Sequence, residues 1–110
     1  MRSIRLFQVD TFTENIFGGN PAGVILTDKW LTENQMQSIA NENNLAETAF
    51  IIPYREGYKI RWFTPEIEIK ICGHATLAAG FILKKIFSVD KNPIRFHSNH
   101  KGILEVSVYD

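Results

Sequence analysis

Apolar and polar positions along the chain resolve into strand patterns with two helical stretches set between them. Ile4 to Val9 predicts a strand, and Val24-Ile25-Leu26 a second one after the Gly18-Gly19-Asn20-Pro21 turn. Thr32 is spaced to cap a helix, since Gln35 completes a capping box and Leu31 and Met36 fit a hydrophobic staple. Met36, Ile39 and Ala40 then recur at helical spacing, and Asn41 to Asn44 ends the helix. Thr48 to Ile52 and Tyr58 to Phe63 read as a hairpin through Pro53-Tyr54-Arg55-Glu56-Gly57. Pro65 breaks that run, and Glu66 to Ile71 alternates with the period of a half-buried strand. Ala75 to Leu83 is apolar on nearly every face, which predicts a helix enclosed on all sides, over about 73–87. Ile94 to His97 and Ile103 to Tyr109 form a last hairpin around Asn99 to Gly102. The sum is an α+β fold of about seven strands: a curved, mostly antiparallel sheet wrapped around the second helix, with one outer helix over about 32–42.

Chemistry concentrates at Ile71-Cys72-Gly73-His74-Ala75-Thr76-Leu77-Ala78, where the alternating strand passes into the apolar helix. The N–H groups of Gly73 to Thr76 have no acceptor within the helix, and the positive end of its dipole lies behind them. Together they predict an anion site in which a small carboxylate would sit beside Cys72 and His74. Before any wider comparison, a helix-capping role accounts for His74 about as well as a ligand contact does. A small buried apolar residue accounts for Cys72 better than a reactive thiol does. The glycine-rich Gly18 to Gly23 segment lacks the lysine of a phosphate loop. His97 and His100 fall in a hairpin tip with too few neighbouring donors for a metal, and none is expected. Glu66, Glu68 and Lys70 alternate as the wet side of their strand, while Trp30 and Trp62 belong to the core or an interface.

The 110 residues suit one core but not two. Twelve basic and twelve acidic side chains cancel without a basic stripe, so neither nucleic acid nor a membrane surface is expected as a partner. No apolar run is long enough to cross a bilayer, and the first residues enter a strand pattern directly rather than a signal-peptide core. The single cysteine excludes an internal disulfide, which fits a reducing cytoplasm.

Five segments together resemble the phenazine-biosynthesis PhzF-like family, in its order and spacing. They are Phe7-Gln8-Val9-Asp10-Thr11-Phe12, Gly19-Asn20-Pro21-Ala22, Asn44-Leu45-Ala46-Glu47-Thr48-Ala49-Phe50, Arg61-Trp62-Phe63-Thr64-Pro65 and Cys72-Gly73-His74-Ala75-Thr76-Leu77-Ala78. The resemblance implies the diaminopimelate-epimerase fold, with two similar lobes, each a sheet around a central helix, and the active site in the cleft between them. Residues 1–110 then correspond to the N-terminal lobe alone. It implies Glu47 as the general acid/base of a cofactor-independent isomerase, moving a proton between carbons of a small carboxylic acid. A carboxylate suits that role when partial burial brings both protonation states within reach. It further implies substrate contacts from Gly73 and His74, with Ala75 and Thr76 in the same helix start. Asn20 is a candidate for the same cleft, although a turn former explains it slightly better.

Related racemases of this fold use a thiol at the position of Cys72, but as one of two opposed thiols, and this chain has a single cysteine. A thiol-dependent racemase is therefore the weaker alternative. Family members often carry serine where Ala46 stands, so one substrate contact is lost here. That substitution and the missing lobe favour a second alternative, a non-catalytic binding module on the same scaffold. With half the cleft missing, the isolated lobe is expected to be inactive or nearly so. An unpaired sheet edge or the exposed missing-lobe face would let two copies associate.

Overall fold

The computed structural model describes residues 4–9 and 21–109. In chain order the elements are β1 (Leu6–Val9), β2 (Ala22–Leu26), α1 (Glu33–Asn43), β3 (Glu47–Tyr54), β4 (Gly57–Phe63), β5 (Glu68–Ile69), α2 (Gly73–Lys85), β6 (Ile94–Ser98) and β7 (Gly102–Val106). The architecture is the expected α+β arrangement, a sheet of seven strands with two helices. Strand order is β1-β2-β3-β4-β6-β7, with β5 paired to β4. Two of the pairings are parallel, β2 with β3 and β4 with β6. Each encloses a helix in the chain between its strands, because a chain that is to re-enter a sheet in the same direction needs a crossover.

Side chains alternate across the central strands and build a core on each face. Val24 of β2, Ala49 and Ile51 of β3, and Ile60 and Trp62 of β4 pack against Ala75, Ala78, Ala79, Ile82 and Leu83 of α2. Ile25, Phe50 and Phe63 point the other way and meet Met36 and Ala40 of α1. Phe50 and Phe63 meet edge to face at 5.3 Å, a geometry in which the positive ring edge lies on the negative ring face. β2, β3 and β7 all contact α2 although β7 is at the far end of the strand order. The sheet therefore bends around that helix.

The helix α1 starts as its sequence dictates. Gln35 donates its N–H to the Thr32 hydroxyl at 3.1 Å, and the Thr32 N–H reaches the Gln35 side-chain oxygen at 2.9 Å. It stops at Asn44, whose φ of 55° lies in the left-handed region that asparagine tolerates.

Three expectations need correction. The strand foreseen over Glu66 to Ile71 shrinks to Glu68–Ile69, because the Thr64 hydroxyl accepts from the N–H groups of Glu66 and Ile67 and holds a turn there. Glu68 is not on a wet face; it grips the Arg61 guanidinium through two bonds of 2.8 and 2.7 Å. The helix α2 ends at Lys85 and is not enclosed all round, since Leu77 and Phe81 remain 41% and 38% exposed.

Candidate active site

Glu47 is the first residue of β3, and its placement starts one helix earlier. After Asn44 turns the chain, the Asn43 side chain accepts the Leu45 N–H at 3.0 Å and donates to the Thr48 hydroxyl at 3.3 Å. Thr48 is itself fully buried. Pairing of Ala22 with Glu47 then fixes the register at the strand start. Glu47 shares the α2-facing side of β3 with Ala49 and Ile51, so its carboxylate is turned toward the helix rather than into solvent.

The opposite wall is the start of α2. Cys72 is its N-cap, with extended backbone and a thiol that accepts the Ala75 N–H at 3.5 Å. His74 projects from the first turn, and its Nδ1 lies 3.5 Å from Oε1 of Glu47. The two side chains are 9% and 23% exposed respectively, so the contact is shielded but not sealed. With the imidazole protonated it is an ion pair. The same Oε1 is buried without a hydrogen bond from the described residues, which leaves it an acceptor for an incoming partner.

The helix start offers fewer donors than the sequence suggested. The Ala75 N–H is directed at the Cys72 thiol and the Thr76 N–H at the Cys72 carbonyl, 3.0 Å away. The Thr76 hydroxyl is also engaged: it donates to the same carbonyl at 2.7 Å and accepts the Trp62 indole N–H at 2.9 Å. Ala75 and Thr76 thus face largely inward, with 0% and 4% exposure, and the Thr76 hydroxyl is already bonded in both directions. Gly73 is the opposite case. It is exposed, and a side chain built there would meet nothing within 4 Å. A cavity of about 380 Å³ opens beside it, between Ile71, His74, Thr76 and Leu77 on one side and Leu104 to Val106 of β7 on the other. Its walls are mostly apolar, so it offers shape and desolvation more than charge.

Burial pushes the Cys72 thiol up from its ordinary pKa, and the nearby Glu47 charge adds to the effect. The N–H groups of Ala75 and His74 act in the opposite direction without cancelling it. Expectation from the helix dipole alone runs the other way; here desolvation dominates. That environment favours a protonated, inert thiol over a thiolate base.

Asn20 lies outside the described residues, as do Asp10-Thr11-Phe12 and Gly18-Gly19. His97 stacks edge-on against Tyr54 at 5.0 Å, and the described residues contain no cluster of metal-ligating side chains. Nor is any of their helices long and apolar enough to cross a membrane. Sequence patterns did not single out the bridging role of Asn43 or the bond between Trp62, read as a core or interface residue, and Thr76, read as a substrate contact. The one signal available for them was that each stands in or beside a segment rich in chemistry-bearing residues.

Comparison with known proteins places residues 9–110 within the model for phenazine biosynthesis-like proteins. An uncharacterized isomerase of Pseudomonas aeruginosa is 44% identical over 103 residues, covering 94% of this chain and 39% of its own length. A mouse phenazine biosynthesis-like domain-containing protein is 44% identical over 86 residues, covering 71% of this chain and 30% of its own. Among solved structures, a PhzF-family phenazine biosynthesis protein of Enterococcus faecalis superposes with a TM-score of 0.90 at 48% identity, over 99% of this chain and 42% of that one. A predicted epimerase of Pseudomonas aeruginosa gives a TM-score of 0.79 at 28% identity, over 96% and 39%. The chain therefore spans about two fifths of the length of several of the proteins it matches.

Proposed function

The chain belongs to the phenazine biosynthesis-like (PhzF) family, and from that premise we propose that it is the N-terminal lobe of a cofactor-independent isomerase. In this reading Glu47 takes a proton from one carbon of a small carboxylic acid and returns it to another. The exposed Gly73 end of α2 receives the substrate carboxylate against the backbone, with the helix dipole behind it. His74 holds the acid or donates to the enolate-like oxygen that develops as the proton leaves.

The observation that carries the reading is the approach of Glu47 Oε1 to His74 Nδ1 at 3.5 Å, with that oxygen buried and free of hydrogen bonds from the described residues. A solvated glutamate at a strand start would need no such company. Two groups that can each hold the mobile proton, side by side at the mouth of an anion-binding helix, are what a proton shuttle requires. Several relatives are named isomerases or epimerases, which agrees with the reaction class.

The test uses a chimera in which these residues replace the matching lobe of the Enterococcus faecalis protein, which is similar over 99% of this chain. Proton–deuterium exchange into a panel of small unsaturated carboxylic acids is followed by NMR in D2O. Exchange with the native lobe and its abolition by Glu47→Gln is the expected result. Exchange that persists in the variant refutes Glu47 as the acid/base.

A second reading, a non-catalytic binding module, has the alanine at position 46 in its favour. It predicts carboxylate-induced NMR shifts at Gly73 and His74 with no exchange in the chimera under any condition.

A further inference from the structure

We propose that Trp62 and Thr76 are positioning residues for the Glu47–His74 pair. The Trp62 indole N–H, donated to the Thr76 hydroxyl, locks the first turn of α2 against β3 and β4 and so sets the separation of carboxylate and imidazole. The inference rests on the proposed function only in taking that pair as the site.

The geometry is direct. Trp62 lies opposite Ala49 in the β3–β4 ladder, and Ala49 stands two residues after Glu47 on the same face of β3. Thr76 stands two residues after His74, within the same turn of α2. The Trp62–Thr76 bond of 2.9 Å therefore ties a strand neighbour of Glu47 to a helix neighbour of His74. Its partners are nearly sealed from water, Trp62 at 2% and Thr76 at 4% exposure. The hydroxyl is used in both directions, accepting from the indole and donating to the Cys72 carbonyl at 2.7 Å. One rotor orientation satisfies both bonds, so strand, helix and N-cap are held by a single directed chain.

Packing alone does not do this. The contacts between α2 and the sheet involve Ala75, Ala78, Ala79, Ile82 and Leu83, and apolar contact is non-directional. A small rotation of the helix about its axis leaves such contacts largely intact while swinging His74 away from Glu47. A buried donor with one acceptor within reach resists that rotation, because the rotation strands the donor in an apolar interior. Trp30 provides an internal contrast: it is half-buried against the core on the α1 side of the sheet, where the Arg61 guanidinium lies over its ring at 5.6 Å.

The experiment reads the pair rather than turnover, on the 110-residue chain labelled with 15N. The measured quantity is the change in the His74 ring-nitrogen chemical shifts that Glu47→Gln causes. In otherwise native chain that change is clear. In Thr76→Val, which keeps the shape and removes both bonds, it falls by at least about half, the signature of lost coupling. Trp62→Phe, which keeps a large ring and removes only the N–H, gives the same fall. Thr76→Ser restores it. The Trp62 indole proton also exchanges with solvent more slowly than that of Trp30, and Thr76→Val removes the difference. An unchanged His74 response in well-dispersed spectra of Thr76→Val and Trp62→Phe overturns the proposal, as does a Thr76→Ser variant that behaves like the valine. If Thr76→Val fails to fold, Trp62→Phe decides by the same criterion. Absence of any His74 response to Glu47→Gln in otherwise native chain would refute the pair itself, and both proposals with it. Persistent exchange in the chimera would remove only the acid/base role.

Discussion

Gly73 has no packing reason to be glycine, because a methyl group there would meet nothing within 4 Å. Helix propensity favours alanine over glycine by up to about 1 kcal/mol. Gly73→Ala is therefore expected to leave thermal stability unchanged or slightly raised in calorimetry. If the helix start receives a carboxylate, the same methyl group intrudes on the ligand and weakens binding of a small carboxylic acid by about tenfold, or ~1.4 kcal/mol, as read by NMR titration. Lower stability with unaltered binding would show that glycine serves the fold. Cys72 gives a second residue-scale test. Its thiol is pushed up, first by burial and then by the Glu47 charge. Alkylation by iodoacetamide should therefore have a pH midpoint above that of free cysteine, and Glu47→Gln should bring the midpoint down. The sign for stability follows: a thiol raised in the folded chain stabilises below the ordinary thiol range, and that contribution is lost as pH rises through the folded value. A midpoint at or below free cysteine refutes the buried-thiol account. Both residues could be named from the sequence because they flank a strand–helix junction. The direction of the thiol shift could not, since a helix start is visible in one dimension and desolvation is set by distant strands.

The two helices differ in what their sequences declare. Everything that starts α1 lies within one turn, Thr32 with Gln35 and the staple pair Leu31 and Met36. Thr32→Ala should cost about 1 kcal/mol in denaturant titration, the usual worth of such a cap. The helix α2 advertised apolar character on all sides, yet its faces are unequal. Leu83 is fully buried, so Leu83→Ala is expected to cost about 2–5 kcal/mol. Leu77 is 41% exposed, and Leu77→Lys should cost no more than about 0.5 kcal/mol. Equal costs at the two positions would mean that the helix is covered on both faces. Periodicity failed here because it reports which faces are apolar and not whether a strand reaches them. The same limit explains β5: an alternating run extended its pattern through Glu66 and Ile67, but the Thr64 hydroxyl captures their N–H groups and the ladder keeps only Glu68 and Ile69. The parallel pairings of β2 with β3 and β4 with β6 are equally silent in sequence, because their partners meet only after a helix has intervened.

At the scale of the whole molecule, the sheet's two ends among the described residues are β1 and β7, and the partly exposed face of α2 carries Leu77 and Phe81. Ile71 and Ile103 are also exposed, at 45% and 55%, and Ile71 and Leu77 line the cavity beside Gly73. Apolar side chains are costly to leave in water when they gather, at roughly 25 cal/mol per Å², and strand edges carry unpaired backbone groups besides. Relatives two and a half times as long have further chain with which to meet such a face. For these 110 residues by themselves, a second copy is the occupant always at hand as concentration rises. We therefore expect self-association by sedimentation equilibrium, strengthening with salt as apolar contacts do and weakened by Leu77→Lys and Phe81→Lys together. Because both substitutions fall on exposed positions, the fold should persist, and circular dichroism distinguishes dissociation from unfolding. A chain that stays monomeric at high concentration would mean that edges and helix face are too dispersed to form a patch. Weakening by salt instead would move the attraction to charged groups such as Arg95 and Glu105, paired across β6 and β7 at 3.1 Å.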